Sequence, residues 1–324
     1  MLSERPINVG VIGVGTMGIH HARVYNSLPS VNLVGVHDVY GERAEQVARS
    51  YDSEAMSLEA LLSRVDAVSI AVPTKFHYDT AISCLDAGVA TLIEKPMVAD
   101  LDAGRRLFSK AKQAGVPVQV GHVERFNPAV SALKDLIAEQ HVFDITCLRL
   151  GPSPGTRITD NAVFDLMIHD IDVVLSLANS MPTSVKGTGV ANNEHVSALL
   201  KFESGMMASL TASHVTQRKI RTLRVTTEAC LIDLDYFNQT INIYRRSDPE
   251  YLDDNGGLKY RHEGVVEQLS IPKEEPLQLE LESFIRAAAA DETPQVTVED
   301  GLNAIKVAHR IDREGMTEQT MLGA

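Results

Sequence analysis

Cysteine, basic charge and long apolar runs are all scarce in this chain of 324 residues, and each scarcity closes off a class of function. Cys84, Cys147 and Cys230 lie far apart and form no C-x-x-C pair, which argues against a disulfide framework or a zinc ribbon and for a reducing, cytoplasmic setting. Lys plus Arg number 30 against 43 Asp plus Glu, a formal net charge of −13, whereas a nucleic-acid or anionic-membrane binder needs a basic face. No uncharged stretch approaches the roughly 18 residues of a membrane span. The amino terminus, with Glu4 and Arg5 ahead of a short apolar burst, does not read as a secretory signal. Internal repeats and low-complexity tracts are missing too. What is present is ordinary globular composition, 44% apolar and 23% charged, in a chain long enough for two domains.

From Ile7 to Val120 short apolar bursts alternate with amphipathic stretches, which predicts a doubly wound parallel sheet with crossover helices. The bursts are Ile7 to Ile12, Val31 to Val36, Val65 to Val72, Ala90 to Ile93 and Val116 to Val120. The helical patterns are Met17 to Leu28, Glu42 to Ser50, Leu58 to Leu62, Tyr78 to Ala87 and Asp102 to Ala114. After Gly121 the texture changes. Asn127-Pro128 opens a helix to about Glu139, another covers Ala162 to Leu177, a strand-rich stretch follows from Val185 to Ile271, and two helices close the chain at Leu277 to Ala290 and Val298 to Arg313. Asp253 to Gly257 reads as a hairpin turn or loop. The expected division is residues 1–121, an α/β domain, and residues 122–324, an α+β domain.

Gly13-Val14-Gly15-Thr16-Met17-Gly18 is a G-x-G-x-x-G run directly after a strand and before a helix. There glycines permit a tight turn and close approach of backbone to a pyrophosphate, and the helix N-terminus supplies amide donors. Asp38, 20 residues beyond Gly18 at the end of the second strand, is placed to accept from ribose hydroxyls and to repel a 2′-phosphate, which favours NAD over NADP. Arg43, five residues on, keeps NADP in play. Glu94-Lys95-Pro96 follows a strand whose carboxyl end faces the ligand crevice of such sheets, and Pro73, Thr74 and His77 follow the neighbouring strand. Asp165, His169 and Asp172 share one helical stripe, a pattern open to a polar cavity, a water-facing edge or, with Asp170, a metal site. No second ligand cluster accompanies it.

In this order and spacing, Gly13 to Gly18, Glu94-Lys95-Pro96 and the D-x-x-x-H of Asp165 and His169 resemble the Gfo/Idh/MocA family of oxidoreductases, which includes glucose-fructose oxidoreductase and inositol dehydrogenases. The resemblance implies that residues 1–121 are an α/β NAD(P)-binding Rossmann domain and that residues 122–324 are a substrate-binding and oligomerisation α+β domain with a large open, mostly antiparallel sheet, often used in dimer or tetramer assembly. It also implies that Lys95, Asp165 and His169 are the catalytic lysine, aspartate and histidine. Gly121 to Pro128 and Asp165 to Asp172 are similar to family members that act as UDP-N-acetylglucosamine 3-dehydrogenases. The approach to the second helix, Thr159 to Phe164, lacks the glycines that many relatives carry there. The expected reaction is therefore hydride transfer between NAD and a secondary alcohol of a sugar, cyclitol or nucleotide sugar, with His169 or Lys95 handling the hydroxyl proton, since an imidazole ordinarily titrates near pH 6.5. A nucleotide-sugar diphosphate would need local cations, for which Arg125 and Arg157 are the candidates. An inositol or simple-sugar dehydrogenase and a non-catalytic dinucleotide-binding regulator are the rival readings.

Overall fold

The computed structural model describes residues 5–152, 160–246, 250–253, 258–261 and 264–321. The chain divides into two compact units, one of residues 1–126 and 274–306, the other of residues 127–273 and 307–324. This differs from the contiguous 122–324 domain read from the sequence. Leu277, Leu281, Phe284 and Ile285 join the apolar cluster built around Val9, Val11 and Tyr25, so the penultimate helix belongs to the first unit. Its amphipathic pattern announces a buried face without saying which core that face joins.

The first unit is a six-stranded parallel sheet in the order β3-β2-β1-β4-β5-β6. Its strands are β1 (Ile7–Ile12), β2 (Val31–His37), β3 (Glu54–Ala55), β4 (Ala67–Ile70), β5 (Ala90–Glu94) and β6 (Val118–Gly121). The crossover helices are α1 (Thr16–Ser27), α2 (Gly41–Ser50), α3 (Leu58–Leu62), α4 (His77–Asp86) and α5 (Leu101–Ala114). Every residue of β4 and β5 is buried, which is why these strands read as continuous apolar bursts rather than alternating ones. The strand order reverses between β1 and β4, the switch point at which doubly wound sheets open a crevice. α5 is capped by Asp100, which accepts from Ala103 N at 2.8 Å, and stops at Gly115 with φ +68°. The two-residue β3 carries too little pattern to be anticipated. The β6 edge is paired by the segment before the last helix, Val120 N donating to Val296 O at 3.1 Å.

The second unit carries an eight-stranded sheet ordered β16-β13-β12-β11-β7-β10-β9-β8, in which β7 and β10 run parallel and the other neighbours antiparallel. The strands are β7 (Val142–Leu150), β8 (Ser184–Val190), β9 (His195–Lys201), β10 (Met207–Ser213), β11 (Ile220–Thr227), β12 (Cys230–Asp235), β13 (Thr240–Arg246) and β16 (Gly264–Leu269). β14 (Glu250–Asp253) and β15 (Leu258–Arg261) form a separate antiparallel pair. The turn expected at Asp253 to Gly257 falls on residues 254–257, outside the described residues. β7, not foreseen from the sequence, lies inside the sheet, with Ile145, Cys147 and Arg149 buried on one face. That face is covered by α6 (Pro128–Ile137) and α7 (Ile168–Ala178). The other face leaves Leu199, Met207, Tyr244 and Val266 exposed. α8 (Pro276–Ala290) lies in the first unit, and α9 (Val298–Met321) contributes residues to both. No helix among the described residues is long and apolar enough to cross a membrane.

Candidate active site

The first unit supplies a phosphate cradle built from absent side chains. A Cβ on Gly18 would stand 1.8 Å from Gly13 O, and one on Gly13, whose φ is +85°, would meet Val72 N at 2.8 Å, so only glycine lets α1 pack against β1 here. Gly15 differs: a Cβ there would meet nothing within 4 Å, so its glycine leaves open space rather than relieving a clash. α1 starts at Thr16 with no side-chain cap and no acidic residue in its first turn, which leaves its amides and the positive end of its dipole to an anion. These features fit a dinucleotide pyrophosphate. Asp38 is mostly buried, its side chain 6% exposed, and ties the loop to β2 by accepting from Val14 N and Tyr40 N, each at 2.9 Å. Arg43 approaches the same carboxylate at 3.6 Å and lies over the ring of exposed Tyr40.

At the end of β5, Glu94 is clamped from two sides. Oε1 meets His21 Nε2 at 2.8 Å and Oε2 accepts from Lys95 N at 3.1 Å. Burial pushes this carboxyl up, but the His21 hydrogen bond, its charge and the Lys95 charge outweigh that and hold it below the ordinary carboxylate value. Gly121 of β6 lies so close that a Cβ would stand 3.2 Å from Glu94 Oε2. The Lys95-Pro96 peptide is cis. His77 is buried, its Nδ1 facing Pro96 O at 2.9 Å and its Nε2 facing Val72 O at 2.8 Å, so its imidazole braces the loops after β4 and β5. Pro73 and Thr74 lead into that brace as the start of a single 3₁₀ turn.

In the second unit the expected helix Ala162 to Leu177 begins as a π-helical turn, Val163–Met167, before continuing as α7. Asn161 starts it, its Oδ1 accepting from Val163 N at 3.1 Å and its backbone O from Asp165 N at 3.0 Å. Such turns re-aim side chains and are enriched at functional sites. Asp165 Oδ2 meets His214 Nε2 at 3.0 Å, and His214 Nδ1 meets Glu194 Oε2 at 2.8 Å. Buried His214 thus bridges two carboxylates through its two ring nitrogens, one of them that of Asp165. The β8–β9 turn that carries Glu194 passes through Ala191, Asn192 and Asn193 at φ 51°, 56° and 62°. Its Asn193 accepts Ala162 N on its backbone O at 3.1 Å and donates Nδ2 to Asp312 Oδ1 at 2.8 Å. The turn thus holds the start of the segment at Ala162 and, through His214, Asp165 within it. α7 itself is anchored by a buried bidentate pair, Arg149 Nε and Nη2 to Asp170 at 2.9 and 2.8 Å, with Arg149 over the Tyr236 ring. His169 is half-buried and Asp172 is buried.

Residues 7–122 match the family model described as oxidoreductase family, NAD-binding Rossmann fold, and residues 142–231 match the GFO/IDH/MocA C-terminal domain. The chain is 32% identical over 290 residues to the UDP-N-acetylglucosamine 3-dehydrogenase of Acidithiobacillus ferrooxidans, covering 88% of this chain and 89% of that protein. This chain belongs to the Gfo/Idh/MocA family of oxidoreductases. A solved structure of the same A. ferrooxidans enzyme superposes with a TM-score of 0.86 at 30% identity, covering 95% of this chain and 97% of that one. The chain is also similar to the NAD(+)-dependent scyllo-inositol 2-dehydrogenase of Bacillus subtilis, 30% identical over 235 residues, 66% of this chain and 69% of that protein. The apo scyllo-inositol dehydrogenase of Lactobacillus casei, at 19% identity over 98% of each chain and a TM-score of 0.79, shares the fold.

Within this Gfo/Idh/MocA oxidoreductase, Gly13, Gly15, Thr16, Met17, Gly18, Asp38, Pro73, Thr74, His77, Glu94, Lys95 and Arg125 fall in the first unit. Asp165 and His169 fall in the second. Arg125, 11% exposed, is engaged by Asp300 at 3.3 Å. Arg157 lies outside the described residues. Among the described residues no group of three or more His, Cys, Asp or Glu is arranged to hold a metal ion. Burial pushes the Cys84 thiol up to about 12 and the Cys147 thiol well above its ordinary value, which removes both as nucleophiles. Sequence reading missed His214 and Glu194. His214 sits just past β10 with no motif around it, and only the sheet register brings it to Asp165.

Proposed function

We propose that the protein is an NAD-dependent dehydrogenase acting on a secondary alcohol of a nucleotide sugar of the UDP-N-acetylglucosamine class. The reading rests on Asp165, presented on a π turn, braced by a buried histidine and standing four residues before His169. The likeness over nine-tenths of the chain to a UDP-N-acetylglucosamine 3-dehydrogenase supports the substrate class. The inositol dehydrogenase relative supports a second reading, a free cyclitol or sugar, with the same chemistry.

When bound, the nicotinamide accepts or supplies the hydride. The chain's own residues do the rest. Gly15 and the first amides of α1 receive the diphosphate, and the Asp38 carboxylate disfavours a 2′-phosphate beside it, which supports NAD over NADP. His169 takes the hydroxyl proton, Asp165 supports the charge it gains, and Lys95 stabilises developing alkoxide; the lysine and histidine roles are open to exchange. Arg125 would contact substrate by trading Asp300 for a phosphate, and Arg157 is the second candidate cation. The exposed apolar face around Leu199, Met207 and Val266 supports a homodimer or homotetramer, and three free, buried cysteines support a cytoplasmic setting. The test is reduction of NAD by purified protein with UDP-N-acetylglucosamine, UDP-N-acetylglucosaminuronate, myo-inositol and simple hexoses, with NADP in parallel. Turnover with a UDP sugar that is lost in both Lys95→Ala and His169→Ala supports the reading. Full turnover in those variants contradicts it.

A further inference from the structure

Arg218-Lys219-Ile220-Arg221 is a concentrated patch of cations in a chain of formal net charge −13, and none of the roles above uses it. The sheet register shows where it lies. Ser213 of β10 stands opposite Leu150 of β7, which stands opposite Ile220 of β11. One step beyond that row come His214, Gly151 and Lys219, and a Cβ on Gly151 would meet Lys219 Cγ at 3.5 Å. Side chains alternate across a strand. His214 continues the face of Ala208, Leu210 and Ala212, and Lys219 and Arg221 continue the face of Leu223 and Val225. Both are the helix-covered face on which His214 holds Asp165. With strands about 4.8 Å apart, Lys219 starts about 10 Å from His214 across a residue with no side chain. Lys219 Nζ and Arg221 Cζ stand 5.9 and 5.1 Å from the centre of the Phe237 ring, which is 54% exposed.

We propose that Lys219, Arg221 and Phe237 form the subsite for the nucleoside diphosphate portion of the substrate, two cations for the diphosphate and an aromatic face for the base. The inference rests on the nucleotide-sugar reading above. A dianionic group approaching an acidic protein needs such local cations, and the roughly 10 Å of two strand spacings between Lys219 and His214 is of the order of a sugar ring's length.

The probe is UDP alone, titrated calorimetrically into the full-length protein, alongside initial rates with UDP-N-acetylglucosamine. Lys219→Glu and Arg221→Glu are expected to weaken UDP binding and raise KM for the UDP sugar by about tenfold or more, with kcat changed far less and NAD affinity unmoved. Neutral Lys219→Gln, at an exposed position, should give an intermediate loss and guards against misfolding. Phe237→Leu should weaken UDP binding but not inorganic pyrophosphate binding. Turnover of the UDP sugar with KM unmoved by all of these variants overturns the subsite and leaves the proposed function standing. A wild-type protein that oxidises a cyclitol and binds no UDP overturns both.

Discussion

The two units reach a defined site by opposite means. The phosphate cradle of the first unit is made by backbone: three glycines, an uncapped helix start and a carboxylate that ties the loop to the next strand. The Asp165 segment of the second unit is made by side chains that arrive from far along the chain, His214 with Glu194 and Arg149 with Asp170. A backbone device fails by steric collision when a methyl group is added. An ionic device fails by leaving a buried charge without its partner.

The largest effect is expected where the backbone device has no slack. Gly18→Ala forces a Cβ onto Gly13 O, so NAD affinity should fall by at least about a hundredfold, with the melting temperature lowered as well. Gly15→Ala should separate binding from stability: its Cβ meets only open space, so the melting temperature should hold while NAD affinity falls about tenfold. Equal loss of stability in the two variants would show that Gly15 is structural too.

The ionic device should break next. Arg149→Met leaves Asp170 buried and alone, and chemical denaturation should show about 3–5 kcal/mol of lost stability. Arg149→Met with Asp170→Leu should recover most of it, because removing both charges removes the uncompensated one. If the double variant is no better than the single, the pair is not the source of the loss.

His214→Gln comes third. It keeps a hydrogen-bonding group but not the ring that bridges Asp165 and Glu194, so kcat should fall about 10–100-fold with KM for NAD unchanged. Glu194→Gln should lower kcat less. A His214→Gln enzyme with full kcat would reduce the Asp165 brace to packing.

The smallest effect is a pH dependence of stability in the first unit. Burial drives His77 below the ordinary imidazole value against the pull of the Val72 and Pro96 carbonyls, so the folded chain binds fewer protons there than the unfolded chain. That stability is present above the ordinary value near 6.5 and is lost as pH falls through it toward the folded value. Melting temperature should decline between about pH 7 and pH 5.5, and less steeply in His77→Asn. An identical slope in the variant would place the acid sensitivity elsewhere.

The same contrast governs what the sequence discloses. Gly13 to Gly18, Asp38 and Glu94-Lys95-Pro96 are legible because their spacing is local, with Gly18 packed on Gly13 O five residues before it. Asp165 and His169 are legible as a helical pair, but the π turn is not, because it depends on Asn161 and on the β8–β9 turn that returns to it. His214 and Arg149 carry no local signal at all. β7 was missed although its residues alternate, and with it went the strand that carries Arg149. The fate of α8 was hidden for a related reason: an amphipathic face does not name its partner core.

The most direct test of the account is the absorbance of reduced nicotinamide on mixing the protein with NAD and UDP-N-acetylglucosamine, in wild type and in His169→Ala. Reduction by wild type and its loss in the variant, with NAD binding intact in both, is the expected result. Tight NAD binding with no reduction of NAD by any UDP sugar, cyclitol or hexose would contradict it and favour a dinucleotide-binding regulator on the same fold.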